Sequence, residues 1–189
     1  TEILLNYYIL KGEECISEFK GFFSFAIWDK KKSKLFCARD RFGIKPFYYL
    51  YNKNEFTFCS EIKPLLKFLK TNLPNENAVN SYLTSEYYEN IKTTFFQSVL
   101  KLKPGHILIY EKGKLIEKPY WNFYEKLSKV KLPNNKIEKS EYIYDKIDKA
   151  VKYSLVSDVE LSIAASGGLD SSILYHHIKK NNRNLSKLI

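Results

Sequence analysis

Ser166-Gly167-Gly168-Leu169-Asp170-Ser171-Ser172 is the stretch from which the rest of the chain is read. An apolar run, Val159 to Ala165, leads into it, and a helix-compatible segment, Ser171 to Lys180, leads out. Strand, small-residue turn and helix in that order aim backbone N–H groups and a helix N-terminus at an anion. Gly167 and Gly168 admit positive φ and close approach of a ligand. The hydroxyls of Ser166, Ser171 and Ser172 add donors, and Asp170 can hold a cation beside phosphates. The plain alternative is a tight turn with a serine cap; the whole string in this setting favours phosphate binding.

Toward the N-terminus, Ile143, Ile147, Val151 and Leu155 form one apolar stripe on a helix that Ser140 can cap. This block therefore begins as a parallel α/β unit. Residues 128–139 are polar, hold Pro133-Asn134-Asn135 and show no periodicity, which marks a linker. The block before them mixes helices with antiparallel strands. Glu2 to Lys11 has helical spacing, and Glu14 to Phe19 suits a short second helix. Phe23, Phe25 and Ile27 then alternate with Ser24, Ala26 and Trp28, a strand pattern, and Lys34 to Asp40 returns after a charged turn. Phe47–Tyr51 and Glu55–Ser60 predict a hairpin around Asn52-Lys53-Asn54. Ser60-Glu61 is placed to cap a helix with Pro64 in its first turn, and Asn77 to cap another over Ala78–Tyr88. Thr94–Leu102, Ile107–Tyr110 and Lys114–Glu117 read as strands, the last two joined at Lys112-Gly113. The fold class is thus α+β followed by α/β, with domains 1–127 and 140–189 on either side of the linker.

Composition narrows the functional classes. Of 189 residues, 44% are hydrophobic and 16% aromatic, enough for a core. No apolar run approaches the roughly 20 residues of a membrane span, and no basic-then-apolar leader opens the chain. The net charge of +10 is carried mostly by lysine in turns, with arginine only at positions 39, 41 and 183. Arginine is the usual phosphate fork and base reader, so nucleic acid is a disfavoured partner. Cys15, Cys37 and Cys59 make no Cys-x-x-Cys and no metal-ligand spacing with His106, His176 or His177, as expected of reduced thiols in a cytoplasmic protein. Methionine is absent, and Leu185-Ser186-Lys187-Leu188-Ile189 reads as the start of a strand. The expectation is a piece of a longer protein, truncated at both ends.

The Ser166–Ser172 string resembles the PP-loop of adenylate-forming ATP pyrophosphatases. With Ser157-Asp158-Val159 before it, it is similar to that of the glutamine-hydrolysing asparagine synthetases. Gly21-Phe22-Phe23-Ser24-Phe25-Ala26-Ile27-Trp28-Asp29 looks like a strand of that family's glutaminase sheet. Ala38-Arg39-Asp40-Arg41-Phe42-Gly43-Ile44-Lys45-Pro46-Phe47-Tyr48-Tyr49 is similar to its Arg-Asp-x-x-Gly-x-x-Pro-Leu-Tyr motif. Ser60-Glu61, Leu102-Lys103-Pro104-Gly105-His106 and Tyr120-Trp121 resemble further markers, all in the family's order.

The resemblance implies the C-terminal part of a class II, N-terminal-nucleophile-type glutaminase sandwich. The first strand, loop and helix of a PP-loop synthetase, an adenine nucleotide alpha hydrolase-like domain, would follow. It implies an ATP- and Mg-dependent carbon–nitrogen ligase acting on aspartate and glutamine. Asparagine would form through a β-aspartyl-adenylate, with AMP and pyrophosphate released. The full-length protein is compatible with a homodimer. By the same resemblance Ala165, Ser166, Gly167, Gly168, Asp170, Ser171 and Ser172 bind ATP and pyrophosphate, and Asp170 positions the Mg. Ala165 stands where the family usually has leucine, which thins the apolar packing there. The glutaminase nucleophile, an N-terminal cysteine, has no counterpart here: Thr1 opens a helical rather than a strand pattern, and the three cysteines are internal. No catalytic residue is therefore assigned, and the piece alone is expected to catalyse neither half-reaction. Arg39 and Asp40 read as an ion-paired scaffold, His106 as a turn residue, and His176 and His177 as packing or solvent-facing. Two alternatives stay open: a related amidotransferase or β-lactam-type synthetase acting on another carboxylate, and a non-catalytic remnant or basic binding module.

Overall fold

The computed structural model describes residues 1–52, 55–85, 92–181 and 187–188. It divides into two compact units, Thr1–Lys126 and Leu127–Ile189. The first runs α1 (Glu2–Lys11), a 3-10 helix (Gly12–Glu18), β1 (Ser24–Asp29), β2 (Lys34–Arg39), β3 (Tyr48–Asn52), β4 (Glu55–Cys59), α2 (Ile62–Leu66), α3 (Glu76–Ser85), β5 (Leu100–Lys101), β6 (His106–Glu111) and β7 (Lys114–Pro119). α4 (Phe123–Ser128) follows, and the second unit holds α5 (Lys136–Ser154), β8 (Ser162–Ile163), α6 (Leu169–Asn181) and β9 (Lys187–Leu188).

An antiparallel sheet with order β1-β2-β6-β7 organises the first unit. Its central strands are apolar on both faces, because side chains alternate with a period of two. Phe36 and Ala38 of β2, with Ile107 and Ile109 of β6, pack against Tyr8, Cys15 and Ile16 of α1 and the 3-10 helix. Cys37 and Leu108, one residue out of phase, pack with Phe47, Tyr49 and Leu102. Tyr49 lies on β3, the middle of a second sheet of order β4-β3-β5. Helices, sheet and sheet therefore form three layers, with cores on both sides of the middle one. The register Phe36↔Ile109 and Ala38↔Ile107 keeps both sets in phase.

Several predicted elements differ in extent. Of the strand predicted over Thr94–Leu102, only Leu100–Lys101 joins a sheet. The Thr94 hydroxyl donates toward the Val99 carbonyl (2.9 Å) and accepts from the Phe96 N–H (3.1 Å), and such local bonds compete with a ladder. α3 starts two residues earlier than expected: Asn75 rather than Asn77 caps it, accepting from the Ala78 N–H at 3.2 Å. Its predicted continuation to Tyr88 and the Lys53-Asn54 hairpin turn lie outside the described residues. Glu61 precedes α2 without a side-chain cap bond. α5 likewise begins at Lys136, its cap five residues before the expected cap Ser140. Asn135 is its cap, accepting from the Glu138 N–H at 2.8 Å, and Ser140 instead donates to the Lys136 carbonyl. β8 covers only two residues of the run Val159–Ala165, pairing in parallel with β9, and Val159 is exposed. Residues 185, 186 and 189 of the expected final strand lie outside the described residues.

Tyr8 joins the helical layer to the sheet through its hydroxyl, which donates to Asp29 Oδ2 at 3.2 Å. Burial first, then the Asp29 charge and hydrogen bond, push this phenol up to about 12. Burial does the same to Tyr120, also to about 12. A phenol whose folded pKa exceeds the unfolded value of about 10 stabilises the fold fully below that value and loses the contribution as pH rises through the folded one. The urea midpoint of the first unit is therefore expected to hold up to about pH 9 and fall between about pH 10 and 12. A Tyr8→Phe chain should show a shallower fall.

Candidate functional site

Three motifs far apart in sequence meet at one end of the central sheet. Asp40 follows β2 and is 1% exposed. Its Oδ1 accepts from the N–H groups of Phe42 (3.1 Å) and Ile44 (3.0 Å), and its Oδ2 from that of Lys45 (2.9 Å). Its carbonyl accepts from the N–H groups of Gly43 (3.1 Å) and Gly105 (2.9 Å). Arg39 spreads its guanidinium over three carbonyls: Lys45 (2.8 Å), Leu102 (2.7 Å) and Gly43 (2.7 Å). Gly105 lies in the left-handed region (φ 67°), and its carbonyl accepts from the N–H groups of Tyr120 (2.9 Å) and Trp121 (3.2 Å). The Tyr120 hydroxyl returns to the Arg39 carbonyl at 3.0 Å. Arg39 and Asp40 are a scaffold, as expected, but their partners are main-chain atoms rather than each other. The residues facing them are turn backbone, whose unpaired groups must be satisfied once buried. His106, expected as a turn residue, closes the turn through its N–H to the Lys103 carbonyl (3.3 Å) and opens β6, its Nδ1 2.8 Å from the Pro104 carbonyl.

Thr1 heads α1, its carbonyl accepting from the Leu5 N–H at 3.1 Å. Cys15 and Cys37 are buried, and burial raises both thiols, Cys37 well above the usual range, which suppresses the reactive thiolate.

In the second unit, Ala165, Ser166, Gly167 and Gly168 form the connection from β8 to α6, while Asp170, Ser171 and Ser172 occupy the first turn of α6. Ser166 Oγ and Ser171 Oγ lie 3.2 Å apart. Ser171 Oγ donates to the Gly168 carbonyl at 3.0 Å, and the Gly168 N–H reaches Ser166 Oγ at 3.4 Å. The Ser172 N–H is taken by the Gly168 carbonyl at 3.0 Å, so this amide is a helix bond rather than an open donor. Ala165 and Asp170 are exposed, the latter beside the helix N-terminus. Of the two glycines only Gly167 has a positive φ (75°). Gly168 needs no such freedom, which corrects the sequence expectation. A Cβ built on it meets nothing closer than Ser166 Oγ at 3.4 Å, an ordinary contact. The protein's own packing does not demand glycine there, and the bare Cα leaves room for close approach to the backbone. Converging hydroxyls, a helix start and an open Gly168 suit the oxygens of a polyphosphate. For a divalent cation the donor set is thin, since no cluster of three His, Cys, Asp or Glu groups exists among the described residues. Asp170 alone fits Mg²⁺ only as the partner of phosphate oxygens and water, the usual mode for that ion.

Sequence reading missed a third constellation. Asp148 of α5 is 6% exposed and His177 of α6 is 2% exposed. Asp148 Oδ1 lies 3.1 Å from His177 Nδ1 and accepts from Asn181 Nδ2 at 2.8 Å; Oδ2 pairs with Lys152 at 2.9 Å. The Lys152, Asn181 and His177 bonds, in that order, hold this carboxyl well below the usual carboxylate range. A signal existed: Asp148 falls at helical spacing between Tyr144 and Val151, a polar group on an inward-facing stripe. His176 is exposed, with its Nε2 3.0 Å from the Tyr144 hydroxyl.

Residues 1–121 match the family model of the glutamine amidotransferase domain, and residues 142–187 match that of asparagine synthase. A glutamine-hydrolysing asparagine synthetase homologue of Methanocaldococcus jannaschii is 34% identical over 199 residues, covering 100% of this chain and 36% of that protein. Asparagine synthetase [glutamine-hydrolyzing] 3 of Bacillus subtilis is 35% identical over 180 residues, covering 92% and 28%. Amidase chry2 of Gibberella zeae is 34% identical over 187 residues, covering 96% and 27%. The chain thus spans little more than a third of these relatives at most. A solved structure of glutamine phosphoribosylpyrophosphate amidotransferase from B. subtilis, complexed with ADP and GMP, aligns at 12% identity and a TM-score of 0.39 over 91% of this chain and 33% of that one. No helix among the described residues is long and apolar enough to cross a membrane.

Proposed function

The chain belongs to the glutamine-hydrolysing asparagine synthetase family of glutamine amidotransferases, and on that basis we propose that it forms part of an ATP-dependent ligase that turns aspartate and glutamine into asparagine. Residues 1–127 would belong to the glutaminase that frees ammonia, and residues 140–189 to the synthetase that activates the aspartate side-chain carboxylate as its adenylate. The nucleophile of the first half-reaction lies outside this chain in this reading, and the braced Arg39–Asp40 turn is architecture rather than chemistry.

The observation that carries the proposal is the loop at Gly168, where glycine has no packing reason to be. Ser166 and Ser171 would donate to the β- and γ-phosphates through hydroxyls that already converge within 3.2 Å. Gly167 and Gly168 would offer backbone amides at close range, and Ser172 its hydroxyl, its amide being used within the helix. Ala165 would line the nucleotide side. Donors fixed where negative charge grows on departing pyrophosphate lower the barrier to its release. Asp170 would hold Mg²⁺, which when bound supplies charge neutralisation on the phosphates. Amidase chry2 is as similar to this chain as the asparagine synthetases are. That favours a second reading, an amidotransferase of the same build acting on another carboxylate.

Gly168→Ala separates binding from folding. Its Cβ has room and no left-handed backbone to strain, so thermal stability should change by less than about 0.5 kcal/mol. Affinity for Mg·ATP, measured by titration calorimetry on the chain, should fall roughly tenfold or more, about 1.4 kcal/mol per decade. Equal affinity of the two proteins, or no nucleotide binding by either, would sink the phosphate assignment. Aspartate-dependent exchange of labelled pyrophosphate into ATP by the full-length parent tests the choice of carboxylate.

A further inference from the structure

The Asp148 carboxylate is costly where it stands. Removing a charge from water is unfavourable unless partners repay the lost hydration. An apolar residue would have sealed two packed helices without that cost. The rest of the α5–α6 face is loosely closed: Ile143 is 52% exposed, and Ile147, Tyr144, Ile173 and His176 line a cavity of about 450 Å³ between the helices. Hydrophobic packing therefore holds the pair together without fixing its angle. Asp148 fixes it. One oxygen, Oδ1, receives donors from two α6 residues a turn apart, His177 and Asn181, with the exposed Lys180 ammonium 3.7 Å away. Asn181 also donates to the His177 carbonyl at 2.8 Å, which locks the two donors to each other. Two anchor points along one axis determine a direction, whereas one would leave a pivot.

The other end of that axis carries the Gly168–Ser172 turn. β8 holds the approach to this loop over two residues only, and residues 164–170 are all exposed. The helix is thus the firmest support the loop has. From residue 177 back to residue 170 is about 10 Å along α6, so a tilt of roughly 10° would move the first turn by nearly 2 Å. Displacements of about 1 Å suffice to cost a hundredfold in a positioned site.

We propose that Asp148, acting through His177 and Asn181, is the positioning residue of the loop: it sets the axis of α6 and thereby where the Ser171 and Ser172 hydroxyls and the first-turn amides stand. The proposal rests on the reading of that loop as a polyphosphate site.

The test uses three versions of the 189-residue chain: wild type, His177→Leu, which keeps bulk and removes the Nδ1 donor, and His177→Asn, which returns a donor near the same place. Two readouts are taken, the ¹H–¹⁵N amide positions of Gly167, Gly168 and Asp170 and the affinity for Mg·ATP. Expected are displaced loop amides and roughly tenfold weaker binding in His177→Leu, at unchanged helix content, with both restored in His177→Asn. Unmoved loop amides in His177→Leu, or failure of His177→Asn to restore them, overturns the proposal. If wild type binds no Mg·ATP, the polyphosphate reading fails on its own, and the amide positions still decide whether His177 sets the loop. Should His177→Leu unfold, Asn181→Ala removes one of the two anchors and is judged by the same readouts.

Discussion

Asp40→Asn is expected to cost the N-terminal unit roughly 2–4 kcal/mol, a large share of an ordinary domain's margin. The substitution changes almost no volume, so the loss isolates hydrogen bonding. Oδ1 now accepts two N–H groups and Oδ2 one. An amide offers one acceptor oxygen and an NH₂. Turned with its oxygen toward Phe42 and Ile44, it sets the NH₂ against the Lys45 N–H; turned the other way, it sets two donors against the NH₂. Each buried donor left unpaired costs about 1–3 kcal/mol, and the charge assistance is lost as well. The measurement is urea unfolding followed by tryptophan fluorescence, with Trp28 and Trp121 both in this unit. A midpoint within error of wild type would show that the turn does not depend on its carboxylate.

Gly105→Ala should be nearly as damaging, for a different reason. A Cβ there would lie 2.8 Å from the Trp121 carbonyl oxygen and 3.3 Å from its ring. The backbone cannot yield, because Gly105 is tied through its N–H to Asp40 and through its carbonyl to Tyr120 and Trp121. The left-handed conformation alone costs a non-glycine residue about 1–2 kcal/mol, and overpacking typically adds about 1–3 kcal/mol. A drop in Tm of several degrees is expected.

Strand alternation made the first unit readable, because Phe36-Cys37-Ala38 and Ile107-Leu108-Ile109 each serve two cores and leave a plain apolar pattern. Helix starts were read less well. Asn75 and Asn135 cap two and five residues before Asn77 and Ser140, which looked equally suitable, and only the full chain decides which oxygen reaches an amide. The failed strand near Thr94 turned on a single hydroxyl that prefers its neighbours. At the loop, the residue types were legible but not their conformations: Gly168 turned out to need no positive φ. The Arg39–Asp40 motif was legible as scaffold, whereas its main-chain partners at Gly43, Leu102 and Gly105 come from turns that no local pattern brings together.

The order β1-β2-β6-β7 also has a consequence for synthesis in the cell. β2 can pair with β1 as soon as both emerge, but its other edge waits for β6, roughly 70 residues later, which at about 5–20 residues per second is an interval of some 4–14 s. Throughout that interval the nascent polypeptide presents Phe36, Cys37 and Ala38 on an open, sticky ribbon next to the ribosome. Its yield should therefore depend on chaperone supply more steeply than its equilibrium stability would suggest.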